Sequence, residues 1–254
     1  MKKIILLICF SVVLLSCKKQ QKIAFEMVTY QQKSTLPCEE GACTEVIVKI
    51  PHALSKDSVS KRINEQVFDI VKEIVVFDQD NERFKTYEEA INSFITSYED
   101  IKKQFPNEPV PWEAKIESKY TVFGKELVNI DMDHYTFTGG AHGSQGVISV
   151  FYDLTTGKEV AQKDLFVNYE GFKNLAKKKF YAMNHLEENV SLNEKGYMFE
   201  DDKFYLAENI IINKDELIVR YNHYEIAPYA QGPTELKFSY KEIKSYLNPL
   251  YFKE

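Results

Sequence analysis

Hydrophobic positions in residues 58–77 recur at helical spacing: Val59, Ile63, Val67, Ile70 and Ile74. That period predicts an amphipathic helix, with Asp57 or Ser58 as its N-cap. Residues 86–105 repeat the behaviour in one stripe of Tyr87, Ile91, Phe94, Tyr98, Ile101 and Phe105. Thr86 followed by Glu88 and Glu89 suits a helix start. Pro106, Pro109 and Pro111 end this second helix. A third covers residues 169–188, with Phe172, Ala176, Phe180 and Met183 inward. These stripes are read as core, not as cofactor boxes.

Elsewhere the period drops to two. Residues 23–30 and 44–50 alternate as strands, and Pro51 is expected to end the second. Residues 114–122 alternate next, then a hairpin at 123–125. After it, Val128, Ile130, Met132 and His134 share one face, while Asn129, Asp131 and Asp133 share the other, read as solvated. Residues 147–152, 204–212, 216–224 and 235–240 read as further strands, with turns at 153–158 and 213–215. Residues 240–247 read as a closing helix. Strands and helices fall in blocks, which predicts an α+β fold: antiparallel sheets packed with amphipathic helices, in two closely associated modules, 23–160 and 161–254.

The N-terminus carries a different pattern. Lys2 and Lys3 precede an apolar run over residues 4–15. A run of roughly 12 residues is short of the ~20 that span a bilayer, so it reads as a signal peptide, residues 1–16. It ends in Leu14-Leu15-Ser16-Cys17, which resembles the bacterial lipobox. The resemblance implies cleavage before Cys17 and acylation of that residue, with 17–22 as lipidated Cys and polar tether. Several acyl chains at ~0.8 kcal/mol per buried CH₂ hold a protein to a membrane, where one does not.

Of the 254 residues, 44% are hydrophobic and 28% charged, a globular composition that excludes disorder and a multi-span membrane protein. Removing residues 1–16 takes away two lysines and no acid, moving the formal net charge from −6 to −8. An acidic chain without a basic block argues against nucleic acid as a partner. Cys9 falls in the signal, leaving Cys38 and Cys43 beyond the lipidated Cys17. An even pair in an exported chain predicts a disulfide, worth ~2 kcal/mol for so short a loop. A redox pair would be Cys-x-x-Cys, and a zinc site would need further ligands.

Thr138-Gly-Gly-Ala-His142, Tyr152-Asp-Leu-Thr-Thr-Gly-Lys158 and Lys163-Asp-Leu-Phe166 occur in order, followed by Leu217-Ile-Val219 and Tyr224-Glu-Ile-Ala-Pro-Tyr-Ala-Gln-Gly232. This series resembles bacterial envelope proteins with a PdaC-like N-terminal module, here 23–160, and an RsiV-like C-terminal module, here 161–254. The resemblance implies an extracytoplasmic α+β fold. In anti-sigma members the C-terminal module is a lysozyme receptor; in deacetylase members the N-terminal module precedes a catalytic domain acting on peptidoglycan. The anti-sigma segment and the deacetylase domain have no counterpart here, so neither activity carries over.

Three glycines in Gly139-Gly140-Ala141-His142-Gly143 suit either a tight turn or a loop offering His142 and bare amides to a ligand. Tyr221, His223, Tyr224, Pro228 and Tyr229 form an aromatic, Pro-bounded segment running into Gly232, either packed strand end or binding loop. The ligand-binding candidates are Gly139, Gly140, His142, Tyr224, Pro228 and Tyr229. The stretch from His142 to Gly146 has His where a serine-hydrolase elbow needs Gly. Asp131, Asp133, His134 and His142 lack a metal-ligand spacing, and His134 reads as a satisfied core histidine. No metal or cofactor is expected.

The resulting expectation is a non-catalytic lipoprotein of the cell envelope, periplasmic or surface-facing. It binds the membrane through its anchor and takes lysozyme-like muramidases or a peptidoglycan fragment as ligand. The rival is a peptidoglycan-acting hydrolase or deacetylase-related enzyme using Asp131, Asp133 or His142. Replacing Cys17 with Ala should abolish labelling by palmitate analogues; persistent labelling overturns the lipobox reading.

Overall fold

The computed structural model describes residues 23–38, 41–77, 81–107, 110–188 and 190–252. The predicted signal peptide, Cys17 and the tether lie outside them. Helix α1 spans Ser58–Val75, and the Asp57 side chain accepts from the Ser60 N–H as its N-cap. Its seam runs Ile63, Val67, Val71 and Val75, all fully buried. Helix α2, Tyr87–Gln104, opens on a capping box: Thr86 accepts from the Glu89 N–H and Glu89 accepts from the Thr86 N–H. Its buried stripe ends at Tyr98. Ile101 and Phe105 are 37% and 50% exposed. Period marks an apolar face; it does not mark how far the opposing surface extends.

Strands β1 (Phe25–Lys33), β2 (Glu45–Ala53), β3 (Glu113–Phe123), β4 (Leu127–Phe137) and β5 (Ser144–Asp153) form one sheet in chain order. All neighbours are antiparallel except β2 and β3, which run parallel. A parallel pair needs a long crossover, and α1 with α2 supplies it. The Cys38–Cys43 disulfide closes the turn between β1 and β2, with Cα atoms 4.4 Å apart. Pro51 does not end β2: it pairs with Met27 two residues before the strand's last residue. Its missing N–H would face the β3 side, where pairing stops at Lys49, so no ladder bond is lost.

Helix α3, Tyr169–Met183, precedes a second sheet of β6 (Asn209–Ile212), β7 (Glu216–Tyr221) and β8 (Thr234–Ser239). Phe172, Ala176 and Phe180 face inward, but Met183, expected with them, is 45% exposed in the last turn. The strand expected over 204–212 shrinks to β6, because residues 204–207 enter as irregular chain with the Tyr205 carbonyl taken by the Tyr221 hydroxyl at 2.6 Å. The closing helix shrinks to one turn, α4 (Tyr240–Ile243), because Leu247 is drawn into a bridge with Phe166. No helix among the described residues is long and apolar enough to cross a membrane.

The two sheets meet on β4 and β5. Val128, Ile130, Met132 and Tyr152 face α1 and α2 in one core, while Leu127 and Phe151 belong to the other core with α3 and the small sheet. The expected solvated face of β4 is therefore covered. Asn129 and Asp131 are 0% and 2% exposed, and Asp133 alone remains exposed.

Burial is tolerated because the polar atoms are matched. Asn129 Nδ2 donates to Ser149 Oγ (2.9 Å) and to the Val150 carbonyl, while its Oδ1 accepts from the Ile212 N–H. Ser149 N–H donates to Asn209 Oδ1 at 3.0 Å. Ser149 Oγ lies 2.6 Å from the Ile210 carbonyl and 2.7 Å from Asp131 Oδ1. A hydroxyl has one proton, so it satisfies both contacts only if Asp131 is protonated and donates back. Burial raises the Asp131 pKa, which agrees. Lys119 Nζ is 3.8 Å from Oδ2, but its side chain is 63% exposed and its charge is screened by water.

The sign follows. An acid whose folded pKa is raised binds its proton more tightly when folded. Its contribution is therefore fully present below the unfolded value and is lost as pH rises through the folded one. Asp131→Asn keeps a donor for Ser149 without an ionisable proton. It should match or exceed the wild-type melting temperature at pH 7, and the difference between the two proteins should shrink toward pH 4. A variant less stable at pH 7 by the same margin as at pH 4 would show that Asp131 is not protonated in the fold.

Candidate functional site

The loop between β4 and β5 and the segment between β7 and β8 converge. The His142 and Tyr229 rings stack with centroids 4.5 Å apart and planes 14° apart. Tyr229 also lies 4.6 Å from His223 and 5.5 Å from Tyr224. The Tyr224 hydroxyl is 3.2 Å from His142 Nε2, and His142 Nδ1 is 3.0 Å from the Gly143 carbonyl. A carbonyl only accepts, so Nδ1 carries the proton and Nε2 accepts from Tyr224. Gln145 Nε2 donates to the Tyr229 hydroxyl at 3.0 Å and reaches His223 Nε2 at 3.4 Å. Four rings and one amide are thus held by their own contacts, a preorganised aromatic surface.

The glycines serve this loop differently from one another. Gly139 and Gly140 have φ of +102° and +92°, and a Cβ at either would meet open space, so backbone conformation requires them. Gly143 is required by proximity: a Cβ there would lie 2.4 Å from the Tyr135 ring and 2.7 Å from the Thr136 carbonyl. Gly143 closes the expected glycine loop, and its place there is fixed by packing.

The second segment holds together through Asn222. Its carboxamide accepts from the Val147 N–H (3.0 Å) and donates to the Val147 carbonyl (2.8 Å), occupying the free edge of β5 as a strand would. Glu225 Oε2 accepts from the Asn222 N–H at 2.8 Å, and burial raises the Glu225 pKa. The turn from Asn222 to Glu225 puts Tyr224 at φ +64°, left-handed backbone that a bulky residue rarely adopts. Tyr224 is 56% exposed. Tyr229 is half-buried and Pro228 exposed. Tyr221, expected in the same segment, is instead fully buried in the second core.

The other expected chemistry is not assembled here. Asp131 is sealed between the sheets. His134 is not the satisfied core residue expected: its Nδ1 is buried without a partner, and burial lowers its pKa. Among the described residues, no group of three or more His, Cys, Asp or Glu is placed to hold a metal ion. Beside the rings lies a cavity of about 250 Å³ whose wall includes Asp133, His134, Gln145, Arg220 and His223.

Residues 38–145 match the family described as Deacetylase PdaC, and residues 163–241 match the family described as Protein of unknown function (DUF3298). The chain is therefore similar to the PdaC family over residues 38–145 and to the DUF3298 family over residues 163–241. No curated protein matches it. Two solved structures share its fold. A DUF3298 family member from Bacteroides fragilis is 21% identical with a TM-score of 0.66, over 91% of this chain and 97% of that one. A DUF3298 family protein from Pseudomonas aeruginosa is 22% identical with a TM-score of 0.57, over 92% and 98%.

Left-handed backbone at a non-glycine residue costs on the order of 1–3 kcal/mol. Tyr224→Gly should therefore leave the melting temperature unchanged or raised while removing an exposed ring, whereas Gly143→Ala should lower it through its clash with Tyr135. Thermal denaturation of both variants checks the pair. A destabilised Tyr224→Gly would assign that ring to structure.

Proposed function

We propose that this chain is a non-catalytic binding protein of the cell envelope, held to a membrane through acylated Cys17, whose ligand docks on the His142, Tyr224 and Tyr229 surface. The observation that carries this reading is the meeting of two loops some eighty residues apart in sequence, His142 with Tyr224 and Tyr229, in a locked and partly exposed aromatic cluster. Tyrosine gives large amphipathic contact area at low entropic cost, and such residues concentrate at interface centres. Loops on a rigid scaffold are where binding groups gather.

Lysozyme-like muramidases are the first protein ligand to try. They are typically basic, and a mature net charge of −8 supplies the complementary field. A peptidoglycan fragment is the glycan alternative. The match to Deacetylase PdaC also supports a second reading, a deacetylase-related enzyme with peptidoglycan as the substrate to try, in which exposed Asp133 and His142 rather than buried Asp131 would carry the chemistry.

Titration with lysozyme and with soluble peptidoglycan fragments tests the first reading. Tyr224→Ala and Tyr229→Ala should each weaken the bound ligand by about 30-fold or more, the loss expected when an anchor worth ~2 kcal/mol is truncated. Wild-type affinity in both variants removes the site. Turnover of cell-wall substrate in a zymogram, lost in Asp133→Asn, replaces binding with the enzymatic reading.

A further inference from the structure

The cavity beside the aromatic surface shares two residues with it. Gln145 and His223 line the cavity, and Gln145 also holds the Tyr229 hydroxyl. Ring surface and cavity are therefore one continuous feature, at the end of the seam between the two sheets.

Its cations are already paired. Lys115 pairs with Glu117 at 3.2 Å, and Arg220 pairs with Glu235 from the neighbouring strand. A wall whose cations are paired offers little to an anion, and exposed Asp133 adds repulsion. What the wall does offer is unused hydrogen-bonding capacity. The exposed side chains of Asp133 and Gln145 supply it. Among the described residues, no hydrogen bond engages the Asp133 carboxylate or the Gln145 side-chain oxygen.

Asp133 accepts, the Gln145 amide donates and accepts, and His223 adds a ring nitrogen, a set that suits a ligand able to donate and accept at several points. Neutral hydroxyl groups do both, whereas an apolar ligand does neither. The space, about 250 Å³, equals about eight water molecules at liquid density, enough for one sugar ring and too little for folded peptide. The adjoining rings supply what a sugar also needs, flat apolar area for the C–H face of the next ring.

We infer that the cavity and the Tyr229 surface together bind an uncharged oligosaccharide, one ring held by Asp133, Gln145 and His223 and the next stacked on the aromatic cluster. This names the ligand class for the surface proposed above and rests on that reading. It makes the ligand a glycan rather than a protein.

The full-length protein in a non-glycosidic detergent is titrated calorimetrically with cellotetraose, chitotetraose and tetragalacturonate. At least one neutral tetramer should bind, and tetragalacturonate should bind more weakly. Asp133→Asn, at an exposed position where folding is not at risk, should weaken the neutral tetramer by about 10-fold or more, and Tyr229→Ala should do the same. Absence of binding by both neutral tetramers overturns the inference, as does tighter binding of the acidic one. Weakening by Tyr229→Ala with no change in Asp133→Asn removes the cavity and leaves the aromatic surface. Binding of lysozyme that depends on Tyr229, with no saccharide binding, likewise leaves the proposed surface intact and refutes the ligand class.

Discussion

The structure depends on burying both faces of β4 and β5. One face of that hairpin closes the core under α1 and α2, and the other must accept the small sheet. The second face is not apolar enough for simple contact. Asn129, Asp131 and Ser149 sit on it, opposite Asn209 and the backbone of Ile210 and Ile212. An unsatisfied buried polar group costs about 1–3 kcal/mol, so this seam holds only in a register that pairs every member. A one-residue slip of β5 would turn Ser149 away and bring an apolar neighbour against Asn209. The polar seam thus selects one arrangement of the two sheets, where an apolar seam would permit several.

Local structure was legible where its causes are local. The cap at Asp57, the capping box at Thr86 and Glu89, the hairpin at Gly124 and the turn at Gly157 each depend on a few neighbouring residues. The disulfide between Cys38 and Cys43 is local in the same sense. The failures share another cause. Asp131 alternates with apolar residues as a solvated position would, and only the second sheet, 61 residues beyond Ser149 at Ile210, covers it. Pro51 is tolerated because β3 stops pairing with β2 at Lys49, and no residue near Pro51 in sequence announces that. Ile101, Phe105 and Met183 lie on true apolar stripes that outrun their packing surfaces.

The candidate site was legible in its parts and not in its assembly. Glycines at 139 and 140 and tyrosines at 224 and 229 stand out by composition alone. Their meeting follows from the seam, since β5 begins beside the glycine loop and its free edge receives Asn222. His223 stood in the aromatic segment, but Gln145 carried no signal of its own. Gln145 sits at an ordinary strand position, and it matters because its two amide hydrogens reach Tyr229 and His223 at once.

Architecture and display therefore converge on the turn from Asn222 to Glu225. Asn222 completes the edge of β5, a task that fixes the turn's position to within a hydrogen bond. Two residues on, Tyr224 adopts left-handed backbone and projects its ring toward His142. A glycine would relax that backbone, and an asparagine would tolerate it better than tyrosine does. Strained backbone persists where surrounding structure over-determines it, and here the surroundings are the Val147 clamp on one side and the buried Glu225 carboxyl on the other. The clamp that joins the two sheets is the same element that holds Tyr224 in place, so any ligand pressing on the ring presses on the junction. Binding at the proposed surface would be tied to how the small sheet sits against β5, because Tyr224 is only two residues from the Asn222 hydrogen bonds to Val147.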